Sequence, residues 1–232
     1  MSLPLSILLQ ISDSAFPTGA FAYSNGLEAL ARAGRFQSVA ALESYLDAYL
    51  KQAGEFDLAF LSDAHATARA GSSESPEDTE AFDSLCLEWD ATLWNQSVRK
   101  ASLRQGRALL DSLSETFPHA GLTALKRNTA EEWDLHFLPA LGRALGLLGA
   151  SVEQACWVYL HGLIRDQMAA AMRLGLIGPR SAQSIQARAL ANAEARMHEA
   201  ILPPHREAWR SAPLVEAGQG GHGFLYSRLF QN

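Results

Sequence analysis

Basic charge is scarce in this sequence. Lys and Arg number 19 against 25 Asp and Glu, a formal net charge of −6 over 232 residues. A protein that grips nucleic acid by neutralising phosphates needs the opposite balance, so that class is excluded. Cysteine is nearly absent. Cys86 and Cys156 lie on separate stretches of helical periodicity and form no metal-type or redox spacing, so they are expected to be reduced thiols of a cytoplasmic protein. No apolar run approaches the roughly 18 residues a membrane span requires. The first ten residues, Met1–Gln10, lack the basic n-region and small-residue cleavage site of a secretory signal. Alternating β-branched runs are missing as well, which leaves no candidate sheet. No fixed-period repeat is present. What is plentiful is apolar residues, 48% of the chain, enough to build a core and to exclude disorder as a global description.

Helical periodicity fills the space those absences leave. Val39, Leu42, Leu46, Tyr49, Leu50 and Ala53 fall on one helical face, with Ser38 as N-cap and Gly54 as the expected stop. A second helix is expected from about Glu55 to Ala70, then an acidic polar connector at Ser72–Asp78. Further helices are expected over about 78–93, 95–117, 121–135 and 138–148, with Pro118 closing the second of these and Pro139 tolerated in a first turn. Ser151 and Gln154 read as a capping box. The helix they open, through Cys156, Leu160, Ile164, Met168 and Met172, is apolar on more than one face and is expected at the centre of the bundle. Gly178-Pro179 starts an Ala-rich helix that Pro203-Pro204 ends. The chain therefore reads as all-α, a single-domain helical bundle of roughly eight to ten helices over residues 1–210. Residues 211–232 follow as a glycine-hinged tail whose removal is expected to leave the rest folded.

Catalytic signatures are thin. Gly218-Gln219-Gly220-Gly221-His222-Gly223 spells GxGxxG, but a dinucleotide site needs that motif between a strand and a helix, with an acidic residue about 20 positions on. A flexible hinge is the better reading. Glu132 with His136, and Glu194 with His198, are spaced i,i+4; a di-iron bundle uses Glu-x-x-His from two helices, and HExxH and Cys–His clusters are absent. Ser24 lacks the glycine two residues upstream that a nucleophile elbow requires and reads instead, with Asn25, as a cap for a helix beginning at Gly26 or Leu27, Glu28 favouring its dipole. No catalytic residue, metal or cofactor is expected.

Two segments stand out from this helical background. Phe16-Pro17-Thr18-Gly19-Ala20-Phe21-Ala22-Tyr23-Ser24-Asn25-Gly26-Leu27-Glu28 interrupts it with a proline, two glycines and three aromatics. Core packing beneath the loop suits Phe16; for Phe21 and Tyr23, packing and partner contact both stay open. The ending Phe224-Leu225-Tyr226-Ser227-Arg228-Leu229-Phe230 could dock a last helical turn, or could order on a partner, as aromatic and Arg-bearing segments do at interface hot spots.

Both segments resemble the UreF family of urease accessory proteins. The N-terminal resemblance is Leu8-Leu9-Gln10 with Asp13–Phe21 and Tyr23–Glu28; the C-terminal one is His222 with Leu225-Tyr226-Ser227-Arg228-Leu229-Phe230. Between them His136-Phe137, Gly142, Gly149, Ala171-Met172-Arg173-Leu174-Gly175 and Gln183 look like the family's central signatures. Two positions depart from the pattern: Gly223 replaces a commonly acidic residue, and Asn232 a serine. The resemblance implies an all-α, non-catalytic, cytoplasmic chaperone, a homodimer that joins a UreD-type (or UreH-type) accessory protein and the GTPase UreG, with no nucleic acid and no membrane. It implies a scaffold that couples GTP state to nickel delivery into apo-urease, where a carbamylated lysine bridges the two metal ions. Carried onto this chain, it makes Phe21, Tyr23, Glu28, Arg173, His222, Tyr226, Arg228, Leu229 and Phe230 candidate partner-binding residues. A small cytoplasmic all-α enzyme is the alternative from another class, and a nickel chaperone with its own stoichiometric site is a third reading.

Overall fold

A computed structural model describes residues 2–68, 75–132, 135–199 and 202–231, without the side chains of 127–132 and 198–199. The described residues are all-α, with no strand among them. The helices are α1 (Leu5–Ile11), α2 (Leu27–Arg32), α3 (Val39–Gln52), α4 (Leu58–Ala66), α5 (Pro76–Thr92), α6 (Gln96–Thr116), α7 (Ala120–Glu132), α8 (Phe137–Leu147), α9 (Val152–Arg173), α10 (Pro179–Glu199) and α11 (Pro213–Gly221). They fall into two compact units, Met1–Gly19 with Leu58–Tyr159, and Ala20–Asp57 with Leu160–Asn232.

The core of the first unit is α8, whose residues Leu138–Leu147 are all buried. Its sequence is apolar all round, which suits a helix covered on every side, and α4, α5, α6 and α7 pack against it. The close crossing with α4 requires a residue without a side chain, since a Cβ on Gly142 would come 2.5 Å from the Leu61 carbonyl oxygen. α9, expected at the centre of the bundle, is itself heavily buried, with Ala155, Cys156, Leu160, Ile164, Met168 and Ala171 all covered. One charge is enclosed on α8. Arg143 is buried, stacks 4.4 Å over the Phe82 ring and donates to the Asp78 carbonyl oxygen at 3.3 Å. His136, at the N-cap of α8, meets Asp90 at 2.8 Å, and Arg99 Nε donates to the same carboxylate at 2.6 Å. Burial raises the Asp90 pKa, but these hydrogen bonds outweigh it and hold the carboxyl below its usual range. The capping box forms as expected: Gln154 N donates to Ser151 Oγ at 3.1 Å and Ser151 N to Gln154 Oε1 at 2.9 Å. Gln154 also takes both main-chain groups of Leu3, at 3.0 Å each.

In the second unit α10 and α11 each pack against α3. Arg188 pairs with Glu43, and Arg196 with Asp47 at 2.6 Å. Ser38 caps α3 as expected, its Oγ accepting from Ala41 N at 3.2 Å. Gly54 does not end the helix. A π-helical turn, Ala53–Asp57, carries the chain on into α4, because Ala53, Phe56 and Asp57 are buried and the extra residue is absorbed as a wider turn. The second helix accordingly begins at Leu58 and ends at Ala66. Of the connector expected at 72–78, residues 72–74 lie outside the described residues; Ser75 caps α5 and Pro76–Asp78 form its first turn. The remaining helices fall close to their expected bounds, with 200–201 outside the described residues.

Cys86 and Cys156 are free, and burial pushes both thiols up to about 12, so neither is a reactive thiolate at neutral pH.

Candidate functional site

The two unusual segments meet each other within the second unit. The first of them enters through a 3-10 turn, Ala20–Ala22, and reaches α2 by two consecutive left-handed residues, Asn25 at φ 50° and Gly26 at φ 93°. Asn tolerates that conformation and Gly adopts it without penalty. Gly26 has a second reason to be glycine, because α11 crosses here: a Cβ on it would stand 2.6 Å from Gln219 N and 2.8 Å from the Gly218 carbonyl carbon. A Cβ on Gly218 would in turn meet Leu30 Cγ at 2.8 Å and Gly26 O at 2.9 Å. Gly218, one of the glycines expected to loosen a hinge, is therefore packed against α2. Gly218, Gly220 and Gly221 complete α11, and Val215 and Gly218 are buried. Ser24 is fully buried and its Oγ accepts from Glu28 N at 3.3 Å, one of the capping roles expected of it.

Glu28 is not an exposed dipole partner. It is fully buried, and its carboxylate gathers three donors from the C-terminal segment. Leu229 N reaches Oε1 at 2.8 Å, while Phe230 N and His222 Nε2 reach Oε2 at 3.2 Å each. His222 is fully buried beside it, with Nδ1 lacking a hydrogen-bond partner. Burial lowers the His222 pKa, opposed by Glu28 and reinforced by Arg228. The imidazole is thus held neutral near pH 7, its Nε2–H donating to the carboxylate.

Arg173, at the end of α9, makes the second clamp. It lies 4.4 Å from the Phe21 ring and 4.1 Å from the Phe230 ring, a cation between two aromatic faces. Nη1 donates to Phe21 O at 2.7 Å and Nη2 to Leu229 O at 3.3 Å. Gln231 N adds a bond to Ala22 O at 2.8 Å. Sequence reasoning missed Gln167, buried six residues before Arg173 on α9, which donates to Ser24 O at 3.2 Å. It follows Arg165 and Asp166, so it read as one more polar position and gave no signal. The nearby polar cluster was missed too. Gln52 accepts from Ala212 N at 2.8 Å, Arg210 donates to Glu216 at 2.6 Å, and Arg210 stacks 4.4 Å over Phe56.

Between the two clamps, residues 223–228 form a short loop braced from within, Arg228 Nη2 donating to Gly223 O at 2.7 Å and Nε to Leu225 O at 3.4 Å. The loop displays what the clamps do not use. Phe224 is 91% exposed, Tyr226 is exposed over its whole surface, and beside the base Leu229 is 52% and Phe21 61% exposed.

The nine candidate residues thus separate. Phe21, Arg173, Tyr226, Arg228 and Leu229 reach the surface, whereas Tyr23, Glu28, His222 and Phe230 are buried. Of these four, Glu28 and His222 Nε2 are engaged with each other and Phe230 with Glu28 and Arg173, within the chain itself. Phe16 is buried in the first unit, where Ser112 Oγ donates to Pro17 O at 3.1 Å.

Among the described residues no cluster of His, Cys, Asp and Glu is arranged to hold a metal ion, and no helix is long and apolar enough to cross a membrane. The side chains of Glu132 and His198 lie outside the described residues.

A model of the UreF family matches residues 36–190. The chain belongs to the UreF family. Urease accessory protein F of Arabidopsis thaliana is 33% identical over 224 residues, 95% of this chain and 90% of that protein. Urease accessory protein UreF of Trichodesmium erythraeum is 30% identical over 228 residues, covering 97% and 95%. The proteins of Oryza sativa stand at 33% over 95% of this chain. Membership in the UreF family makes this chain a urease accessory protein, concerned with maturation of the enzyme. The clamp described above lies partly outside residues 36–190, so it adds to that match the geometry of the two terminal motifs.

Proposed function

We propose that this UreF-family chain is a non-catalytic, cytoplasmic scaffold of urease maturation. It works as a homodimer that joins a UreD/UreH-type protein and the GTPase UreG, and it couples GTP state to delivery of nickel, as cargo, into apo-urease. The observation that carries this reading is the braced 223–228 loop. A cluster of exposed aromatic and aliphatic side chains marks an interaction surface, and this chain fixes Phe224 and Tyr226 on a backbone held by Glu28, His222, Arg173 and Arg228. Aromatics and arginine on a preorganised segment are what interface hot spots use, because little ordering entropy is left to lose on binding.

The tail, residues 211–232, is accordingly the surface for the UreD/UreH-type partner, with Phe224, Tyr226 and Leu229 in contact and Arg228 holding them in place. Phe21 and Arg173 continue that surface towards the dimer or GTPase contact. Coupling GTP state to metal transfer is a free energy shared between interfaces, and a scaffold supplies it by holding both on one chain.

Co-purification tests this. The full chain, expressed with its UreD/UreH-type and UreG-type neighbours, should retain both, and Phe224→Ala with Tyr226→Ala should lose the first. Undiminished capture by the double variant would overturn the assignment of the tail.

A further inference from the structure

The hold of Glu28 on the tail passes partly through a titratable ring. His222 and Glu28 are both fully buried, 3.2 Å apart, and the ring has one nitrogen on the carboxylate and the other, Nδ1, without an acceptor. The two tail amides, Leu229 N and Phe230 N, share that same carboxylate. We infer that protonation of His222 opens the C-terminal segment, so that the display of Phe224 and Tyr226 is a proton-gated state of this chain. The inference rests on the reading of that segment as partner surface and adds its regulation.

The physical reason lies at Nδ1. A proton arriving from solvent takes the Nδ1 lone pair and creates a buried N–H with nothing to receive it, on a ring that now carries charge away from water. Glu28 on α2 faces the ring and favours that charge; Arg228, on the ring's own segment, opposes it; burial opposes it most. Of the other charges on the packed elements, Arg32 of α2 is exposed. Glu216 of α11 is held by Arg210 and Gln52. Arg173 of α9 is engaged with Phe21, Leu229 and Phe230. None of these is shown receiving the new proton's hydrogen bond. An open segment lets the imidazolium hydrate, so the open state binds the proton better. The sign follows. The closed state keeps its full advantage above the ordinary histidine pKa of about 6.5 and loses it as pH falls from there towards the lowered value, by up to about tenfold in the closed-to-open ratio per pH unit.

Heteronuclear NMR of the isotopically labelled full chain, titrated from about pH 8 to about pH 5, reads this directly across the histidine range. The Leu229 and Phe230 amide signals should leave their closed positions below about pH 6.5, in step with the His222 ring signals. His222→Gln, whose side-chain amide still donates to Glu28 but does not titrate, should keep both amides closed throughout. Amides that stay in place in the wild-type chain, a ring that titrates apart from them, or a His222→Gln chain that opens over the same range would each overturn the gate. A variant that is open at every pH leaves the wild-type coincidence of ring and amides to decide. No partner is in the tube, so failure of the gate leaves partner capture at high pH standing, and failure of capture leaves the gate standing.

Discussion

Replacing one oxygen of Glu28 tests the clamp with minimal change of shape. In Glu28→Gln the side-chain amide can face the tail in two ways. With its NH2 at the Oε2 position it would confront both Phe230 N and His222 Nε2; at the Oε1 position it confronts only Leu229 N, now 2.8 Å from a donor. The second arrangement loses less. It forfeits one charge-assisted hydrogen bond, weakens two others from charged to neutral, and leaves the part-buried Leu229 N–H without its acceptor. The forfeited charge-assisted bond costs about 1.5–3 kcal/mol. Because the tail can detach and hydrate its own amides, the cost falls on closure rather than on the whole fold. About 2–3 kcal/mol against closure corresponds to a roughly 30–140-fold shift towards the open segment. Hydrogen exchange at about pH 7.5, above the His222 range, should show protection of the Leu229 and Phe230 amides falling by that factor, while amides of α8 keep theirs. Unchanged protection at Leu229 and Phe230 would refute the placing of Glu28 at the centre of the clamp.

Three further outcomes are expected. Gly26→Ala combines a left-handed backbone with a Cβ 2.6 Å from Gln219 N and should cost about 3 kcal/mol or more in urea unfolding; a loss under about 1 kcal/mol would contradict the close approach of α2 and α11. Deletion from Phe224 onward should leave the melting midpoint near that of the full chain. Deletion from Ser211 should lower it sharply, because it also strips Ala212, Val215 and Gly218 from the second unit, contrary to the sequence-based expectation that the whole tail is dispensable. Arg228→Ala, by unbracing Gly223 and Leu225, should weaken the complex with the UreD/UreH-type partner by at least about 1 kcal/mol in a titration, and an unchanged Kd would count against loop bracing.

Local chemistry was partly legible in the sequence where a feature is satisfied within one turn. Ser38 and the Ser151–Gln154 box cap as read from the sequence, whereas Ser75, read as connector, and Asn95, read as a helix start, turn out to cap α5 and α6. Partners distant in sequence were not legible. Gly54 was expected to stop a helix that burial of Phe56 continues, and Gly218 read as slack because its reason for being small, the backbone at Gly26, lies some 190 positions away. Glu28 shows the same limit. Its position in a first helical turn suggested a dipole contact, whereas its donors come from residues 222, 229 and 230. The terminal motifs were singled out correctly as unusual; that they complete each other follows only from the three-dimensional path of the chain.

That path sets a timetable for synthesis. Glu28 and Phe230 are 202 positions apart, so at about 5–20 residues per second the carboxylate leaves the ribosome roughly 10–40 s before its partners exist. Through that interval Leu30 lacks Gly218 of α11, which later packs against it, while the Leu58–Tyr159 portion of the first unit is completed part-way through it. A nascent chain stalled after α2 but before α11 therefore leaves Leu30 without that cover, beside a carboxylate still bonded to water.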